Sequence, residues 1–156
     1  VEALVAIQAG ARVRIYEKSA FPRHKVCGEF LSPEVLPLFE RLGLLSRFQS
    51  LRPASIRRAI LHFGAAEKVL LFPEPAFGLS RLVFDDFLAS AMVERGAGLV
   101  RRLRLSESRP VIVAHGRRLA SSPRERGTRV LGFKAHFSGP CNDAVELSFL
   151  RAVMPA

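Results

Sequence analysis

The chain has 156 residues, 49% of them hydrophobic and 24% charged, with a formal net charge of +10. That balance is typical of one globular domain and excludes a disordered tail, a collagen-like chain and a coiled coil. No apolar run reaches the roughly 18–20 residues that span a bilayer, and no secretory signal opens the sequence. Cys27 and Cys141 are too few for a disulfide framework, so a cytoplasmic protein is expected.

The excess charge is local. Of the basic residues, 20 are Arg, and Arg95–Arg129 holds ten of them with only Glu107 and Glu125 as acids. A basic stretch can meet a polyanion, but this one has no aromatic residue on which a base could stack. An Arg-rich nucleic-acid-binding module is therefore a minority reading, and solvated loops are the plainer one.

In chain order, Val1–Ala9 reads as a helix closed by Gly10. Arg12–Glu17 alternates apolar and polar residues and reads as a strand that ends in an acid. Lys18–Glu29 is a loop. Ser32 and Pro33 open a helix with Val35, Leu38, Phe39 and Leu42 on one face and Gly43 at its end, and Pro37 inside it predicts a kink. Ser55–Phe63 and Val69–Phe72 read as strands turning near Gly64, after which Pro73 and Pro75 break the chain before Ala76–Leu79.

The strongest helix runs from a Ser80 cap to Gly96. Phe84, Phe87, Leu88, Ala91 and Met92 form its core stripe, and Asp85 and Asp86 lie near its positive end. Short strands at Leu99–Leu105 and Val111–Ala114 follow, then a Ser/Pro/Arg-rich loop over Ser121–Thr128. Val130–Phe137 and Val145–Leu150 read as a strand pair turning through Gly139, Pro140, Asn142 and Asp143.

Glu17 is the first candidate for chemistry. In a dinucleotide-binding βαβ unit, an acid ending the second strand accepts hydrogen bonds from a ribose. The glycine-rich turn of such a unit lies about 20 residues upstream, which here falls before Val1. A solvated glutamate is the competing reading. The four His and two Cys show no metal-ligand spacing, so no metal is expected. Gly78-Leu79-Ser80-Arg81-Leu82 lacks the last glycine of a nucleophile elbow.

The run Glu17-Lys18-Ser19-Ala20-Phe21-Pro22-Arg23-His24-Lys25-Val26-Cys27-Gly28-Glu29 resembles the adenosine-to-flavin loop of FAD-dependent oxidoreductases. Within them it resembles the geranylgeranyl-reductase-like branch of the group that also holds aromatic hydroxylases and flavin halogenases. Phe77-Gly78-Leu79-Ser80-Arg81, followed by Phe84-Asp85-Asp86-Phe87-Leu88, is similar to that group's Arg-x-x-x-Asp-x-x-Leu helix start. Gly96-Ala97, Ala114-His115-Gly116-Arg117-Arg118 and Gly132-Phe133-Lys134-Ala135-His136-Phe137 are similar to later segments, although His115 stands where many relatives carry an acid.

The resemblance implies an α/β fold: an incomplete Rossmann-like FAD/NAD(P)-binding domain over residues 1–129 and the beginning of a β-rich substrate-domain sheet over 130–156. It implies that Glu17 binds ribose hydroxyls and that Arg23 and Lys25 neutralise pyrophosphate or line the flavin entrance. The backbone at Cys27 and Gly28 approaches the flavin, Arg81 reaches the ribityl–phosphate region, and Leu105 contacts adenine through its main chain. FAD is the implied cofactor, NAD(P)H the implied electron donor, and a small apolar or isoprenoid-like molecule the implied substrate of a reduction or oxygenation. Peripheral membrane contact stays open, and no catalytic acid or base is named. The bland alternatives are a small packed side chain for Cys27, carbonyl capping for Arg81, and a non-catalytic fragment without cofactor for the whole.

Overall fold

A computed structural model describes residues 1–17, 19–100, 112, 114 and 132–150. Helix α1 (Glu2–Gln8) is followed by a turn at Gly10, whose φ of +83° suits glycine, and by strand β1 (Arg14–Tyr16). Strand β2 (Phe30–Leu31) leads into two short helices, α2 (Val35–Arg41) and α3 (Leu45–Ser50), separated by Gly43 at φ +62°. Strands β3 (Ala54–Phe63) and β4 (Ala66–Gly78) form a hairpin around Gly64. Helix α4 (Arg81–Glu94), strand β5 (Gly98–Val100) and strand β6 (Ala144–Phe149) complete the described elements.

Two of the proline readings are corrected. Pro37 does not kink α2, because it falls in the helix's first turn, where a backbone N–H has no intrahelical partner to lose. Pro73 and Pro75 do not end the strand, and β4 runs through them. The ladder with β3 is interrupted there: Ile56 pairs with Ala76 and Arg58 with Leu71, so both prolines sit in an irregularity that needs no ladder donor. On the other edge of β3, toward β6, the Arg57 N–H donates to the Asp143 carbonyl at 2.7 Å.

The strands make two sheets. β1 and β5 pair in parallel, Arg14 opposite Gly98 and Tyr16 opposite Val100. The second sheet has the order β2-β4-β3-β6, with β6 parallel to β3 at its edge. The predicted strand pair near the end is therefore half right. β6 is a strand, but its neighbour is β3, and residues 132–137 run as irregular chain along the loop at 24–29. The strand β6 beyond residue 130 thus shares its sheet with β3 and β4. The predicted segments at Val111–Ala114 and Ser121–Thr128, and all but the start of Leu99–Leu105, lie outside the described residues, save Ile112 and Ala114.

The core sits between helices. Leu4 of α1, Phe39 of α2, Leu42 and Leu44 of the α2–α3 link, Phe48 of α3, and Phe87 and Ala91 of α4 form one buried cluster. Phe39 is its centre, with ring centroids of Phe48 and Phe87 at 4.9 and 5.7 Å. Leu31, Phe77 and Leu79 pack on the cluster from the β2–β4 end of the larger sheet. That packing fixes where α4 begins relative to the loop before β2, and so positions the site. Among the described residues no helix is long and apolar enough to cross a membrane.

Candidate functional site

Helix α4 starts where the sequence predicts. The Ser80 hydroxyl oxygen accepts the Leu82 N–H at 3.2 Å, and the helix stops at Gly96, φ +87°. Its first residue is Arg81. One turn later Asp85 takes that guanidinium through two bonds, Nε to Oδ1 at 2.7 Å and Nη2 to Oδ2 at 2.9 Å. The Lys25 ammonium, from the loop before β2, meets the same Oδ2. Asp85 is only 8% exposed. Burial by itself would raise its pKa, but the bonds from Arg81 and Lys25 outweigh it and hold the carboxyl below the ordinary range.

The Cys27–Gly28 bend lies against this pair. The Glu29 N–H points at Cys27 Sγ at 3.5 Å, and the Arg81 guanidinium faces the same sulfur. Together they hold the exposed thiol below its usual pKa, the Glu29 N–H contributing most. Asp85 first, and Cys27 second, raise the pKa of Arg81 further. Gly28 needs no glycine for steric or conformational reasons: a Cβ there meets nothing within 4 Å, and its φ is not left-handed. The left-handed residue is its neighbour Glu29, φ 58°.

Glu29 is the residue that sequence reasoning passed over. Its Oε1 accepts the Arg81 backbone N–H at 2.7 Å and the Lys134 ammonium, and its Oε2 meets His136 Nε2 at 3.0 Å. Its own carbonyl accepts the Leu79 N–H at 3.0 Å. Burial opposes ionisation, but the bonds from Lys134, the Arg81 N–H and His136 bring its pKa down to about 2. Lys134 also reaches the Lys25 carbonyl at 3.3 Å, and the His24 and His136 rings lie 5.5 Å apart. The one sequence signal was the alternation of Lys134 and His136, which puts both on one side of an extended segment.

Glu17 and Arg23 form a separate group. The Glu17 N–H extends the parallel ladder to the Val100 carbonyl at 3.1 Å, so its side chain sits at the carboxyl end of β1 and β5. Oε1 accepts the Ser19 N–H at 3.0 Å and Oε2 faces Arg23 Nη2 at 3.6 Å. Helix α4 turns back into β5 within three residues, so its start, with Arg81, also lies toward that carboxyl end. In open α/β sheets this is the end where ligands bind. A groove of about 310 Å³ between Ser19, Phe21 and the Asp86, Ser90 and Glu94 face of α4 opens nearby, but Glu17, Gly28 and Arg81 do not line it.

The structure thus brings Lys25 and Arg81 together on Asp85 with Cys27 beside Arg81, and pairs Glu17 with Arg23 as a separate group. Leu105 and His115 lie outside the described residues. Of the Arg-rich stretch, Arg95 is not a solvated cation, because its Nη2 donates to the Leu42 carbonyl and ties α4 to the end of α2.

No protein-family model matches the chain. It is 29% identical over 100 residues to the menaquinone reductase of Mycolicibacterium smegmatis, which covers 61% of this chain and 24% of that relative. Among solved structures, the flavin-dependent halogenase CmlS matches 63% of the chain at 28% identity with a TM-score of 0.55. The myxobacterial chondrochloren halogenase CndH, an FAD-dependent halogenase, matches 62% at 24% and 0.56. The 2-methyl-3-hydroxypyridine-5-carboxylic acid oxygenase matches 63% at 22% and 0.54. Over a little more than three fifths of its length the chain shares a mixed α/β fold with part of these flavin-dependent enzymes. It spans about a quarter of the length of these relatives: 24% of the reductase, 20% of CmlS, 24% of CndH and 27% of the oxygenase.

Proposed function

We propose that this chain is the FAD-holding part of a flavin-dependent oxidoreductase of the geranylgeranyl-reductase-like branch, acting on an apolar or isoprenoid-like substrate with NAD(P)H as electron donor. The observation that carries the reading is the gathering of the Cys27–Gly28 bend, Lys25 and the Arg81–Asp85 pair at the start of α4, on a fold shared with flavin-dependent enzymes. Similarity to a menaquinone reductase supports reduction over oxygenation.

The residues fit a flavin nucleotide on two counts. Arg23 Nε is buried without a hydrogen-bond partner among the described residues, a donor awaiting an acceptor such as a phosphate oxygen. The backbone at Gly28 is open, with nothing within 4 Å of a Cβ position, so a flat ring can come close to it. Bound FAD supplies hydride acceptance from the reduced nicotinamide and its onward transfer.

The chain's own residues bind and orient. Glu17 accepts ribose hydroxyls in exchange for its contacts with Ser19 and Arg23, freeing Arg23 for phosphate. Asp85 fixes the plane of the Arg81 guanidinium, so that its remaining nitrogen is presented without a search through rotamers. The Arg81 charge and the Glu29 N–H keep Cys27 polar at the rim of the bend. A Rossmann-like character for residues 1–129 and the beginning of a substrate domain from residue 130 belong to the same proposal.

The test is the visible absorption spectrum of the full chain with added FAD, followed anaerobically by NADH or NADPH. A protein-bound flavin band that either nicotinamide bleaches is the expected result. A spectrum identical to that of free FAD removes the reading.

A further inference from the structure

The segment 132–137 has no strand partner among the described residues, yet it is fastened to the loop at 24–29 at several points. A Cβ on Gly132 would lie 3.0 Å from Val26 Cγ1, so that segment passes directly over the bend. Lys134 donates to the Lys25 carbonyl, and both Lys134 and His136 end on the Glu29 carboxylate. The side chains of Glu29 and Lys134 are only 17% and 14% exposed, so this pairing is made largely out of water.

Glu29 also holds a left-handed backbone, φ 58°, which costs a side-chain-bearing residue free energy and persists only where the surroundings impose it. Glycine would adopt that conformation without strain. What glycine lacks is the carboxylate that joins the Arg81 N–H, Lys134 and His136.

We propose that Glu29 is a positioning residue for the cofactor: its carboxylate locks the Cys27–Gly28 bend, the first turn of α4 and the 134–136 segment into one rim. The inference rests on the flavin reading above and deepens it by naming what holds the bend in place. Glu29 touches no reacting atom. It acts through Cys27, whose sulfur its N–H holds against Arg81, and through Lys134, which it draws over the Lys25 carbonyl. The loss of the carboxylate releases three ties at once, from partners 52, 105 and 107 residues away in the chain.

The test uses the full chain, FAD as the probe, and iodoacetamide as the reporter of Cys27, with Cys141 as the internal control. Both thiols are exposed without ligand. In the wild type, saturating FAD slows alkylation of Cys27 and leaves Cys141 unchanged. Glu29→Gln keeps an acceptor oxygen for the Arg81 N–H and retains most of that protection. Glu29→Ala loses it, and its Kd for FAD rises about tenfold, the size of one lost charge-assisted hydrogen bond.

A role confined to stability lowers the melting temperature of Glu29→Ala but leaves Cys27 fully protected at saturating FAD. Should circular dichroism show that Glu29→Ala does not fold, Lys134→Met takes its place, with partial loss of protection expected. Wild-type Kd and full Cys27 protection in the folded variant overturn the proposal and leave the flavin reading standing. A wild-type chain that binds no FAD overturns both.

Discussion

Asp85 grips Arg81 from one helical turn away, through bonds of 2.7 and 2.9 Å made in a site where the carboxylate is only 8% exposed. Arginine and aspartate at this spacing meet on one helix face, and here the pair is completed by Lys25 from a different element. Asp85→Asn keeps the shape but leaves two cations facing a neutral amide. The expected loss is about 2 kcal/mol of unfolding free energy, the range of a hydrogen bond to a charged group. Urea denaturation of the two proteins measures it.

The acid limb of stability comes mainly from the same region. Glu29 has a folded-state pKa of about 2 against the ordinary 4.5, and that of Asp85 is also lowered. Groups whose folded values lie below their unfolded ones stabilise fully above the unfolded value and lose that contribution as pH falls through the folded one. The contribution of these two carboxylates is therefore fully present near neutrality and is lost as pH falls from about 5 towards 2. Glu29→Gln makes that limb shallower. A limb of the same depth in the variant contradicts the assignment.

Phe39 is fully buried at the meeting point of α2, α3 and α4. Phe39→Ala removes a ring that its neighbours cannot collapse to replace, and a loss of about 3–5 kcal/mol is expected. That is a large part of a domain's usual margin of about 5–15 kcal/mol. The shift in denaturation midpoint checks it.

Two substitutions in the α2 region separate local rules that the sequence alone confuses. Pro37→Ala changes a first-turn residue and costs about 0.5 kcal/mol, through the looser unfolded chain. Gly43→Ala forces an alanine to φ +62° and costs about 1 kcal/mol or more, although nothing lies closer to its Cβ than Arg95 Nη2 at 3.8 Å. Equal effects in thermal melts contradict this account of α2.

Elements with an unbroken pattern and a proper cap were legible in the sequence. α4 has a Ser80 cap, a stripe that includes Phe84, Phe87 and Ala91, and a glycine stop, and the structure keeps all three. α3 was missed because six residues carry too little periodicity to register, and only burial of Phe48 declares it. The prolines misled because their effect depends on whether an N–H is needed at that point, which pairing decides. Asp85 was visible as an acid near a helix start, and its spacing from Arg81 carried the family resemblance without being read as the ion pair it forms. For Glu29 the only clue was the alternation of Lys134 and His136, which does not say what they face, since the tertiary fold alone brings them to it.

The proposed flavin nucleotide site is formed by the loop from Glu17 to Gly28 and the start of α4. Equilibrium dialysis of the full chain against FAD and, separately, against riboflavin tests it most directly. Stoichiometric retention of FAD is expected, with much weaker retention of riboflavin, which lacks the phosphates and adenosine that Arg23, Arg81 and Glu17 would meet. No retained FAD, or equal affinity for the two, contradicts it.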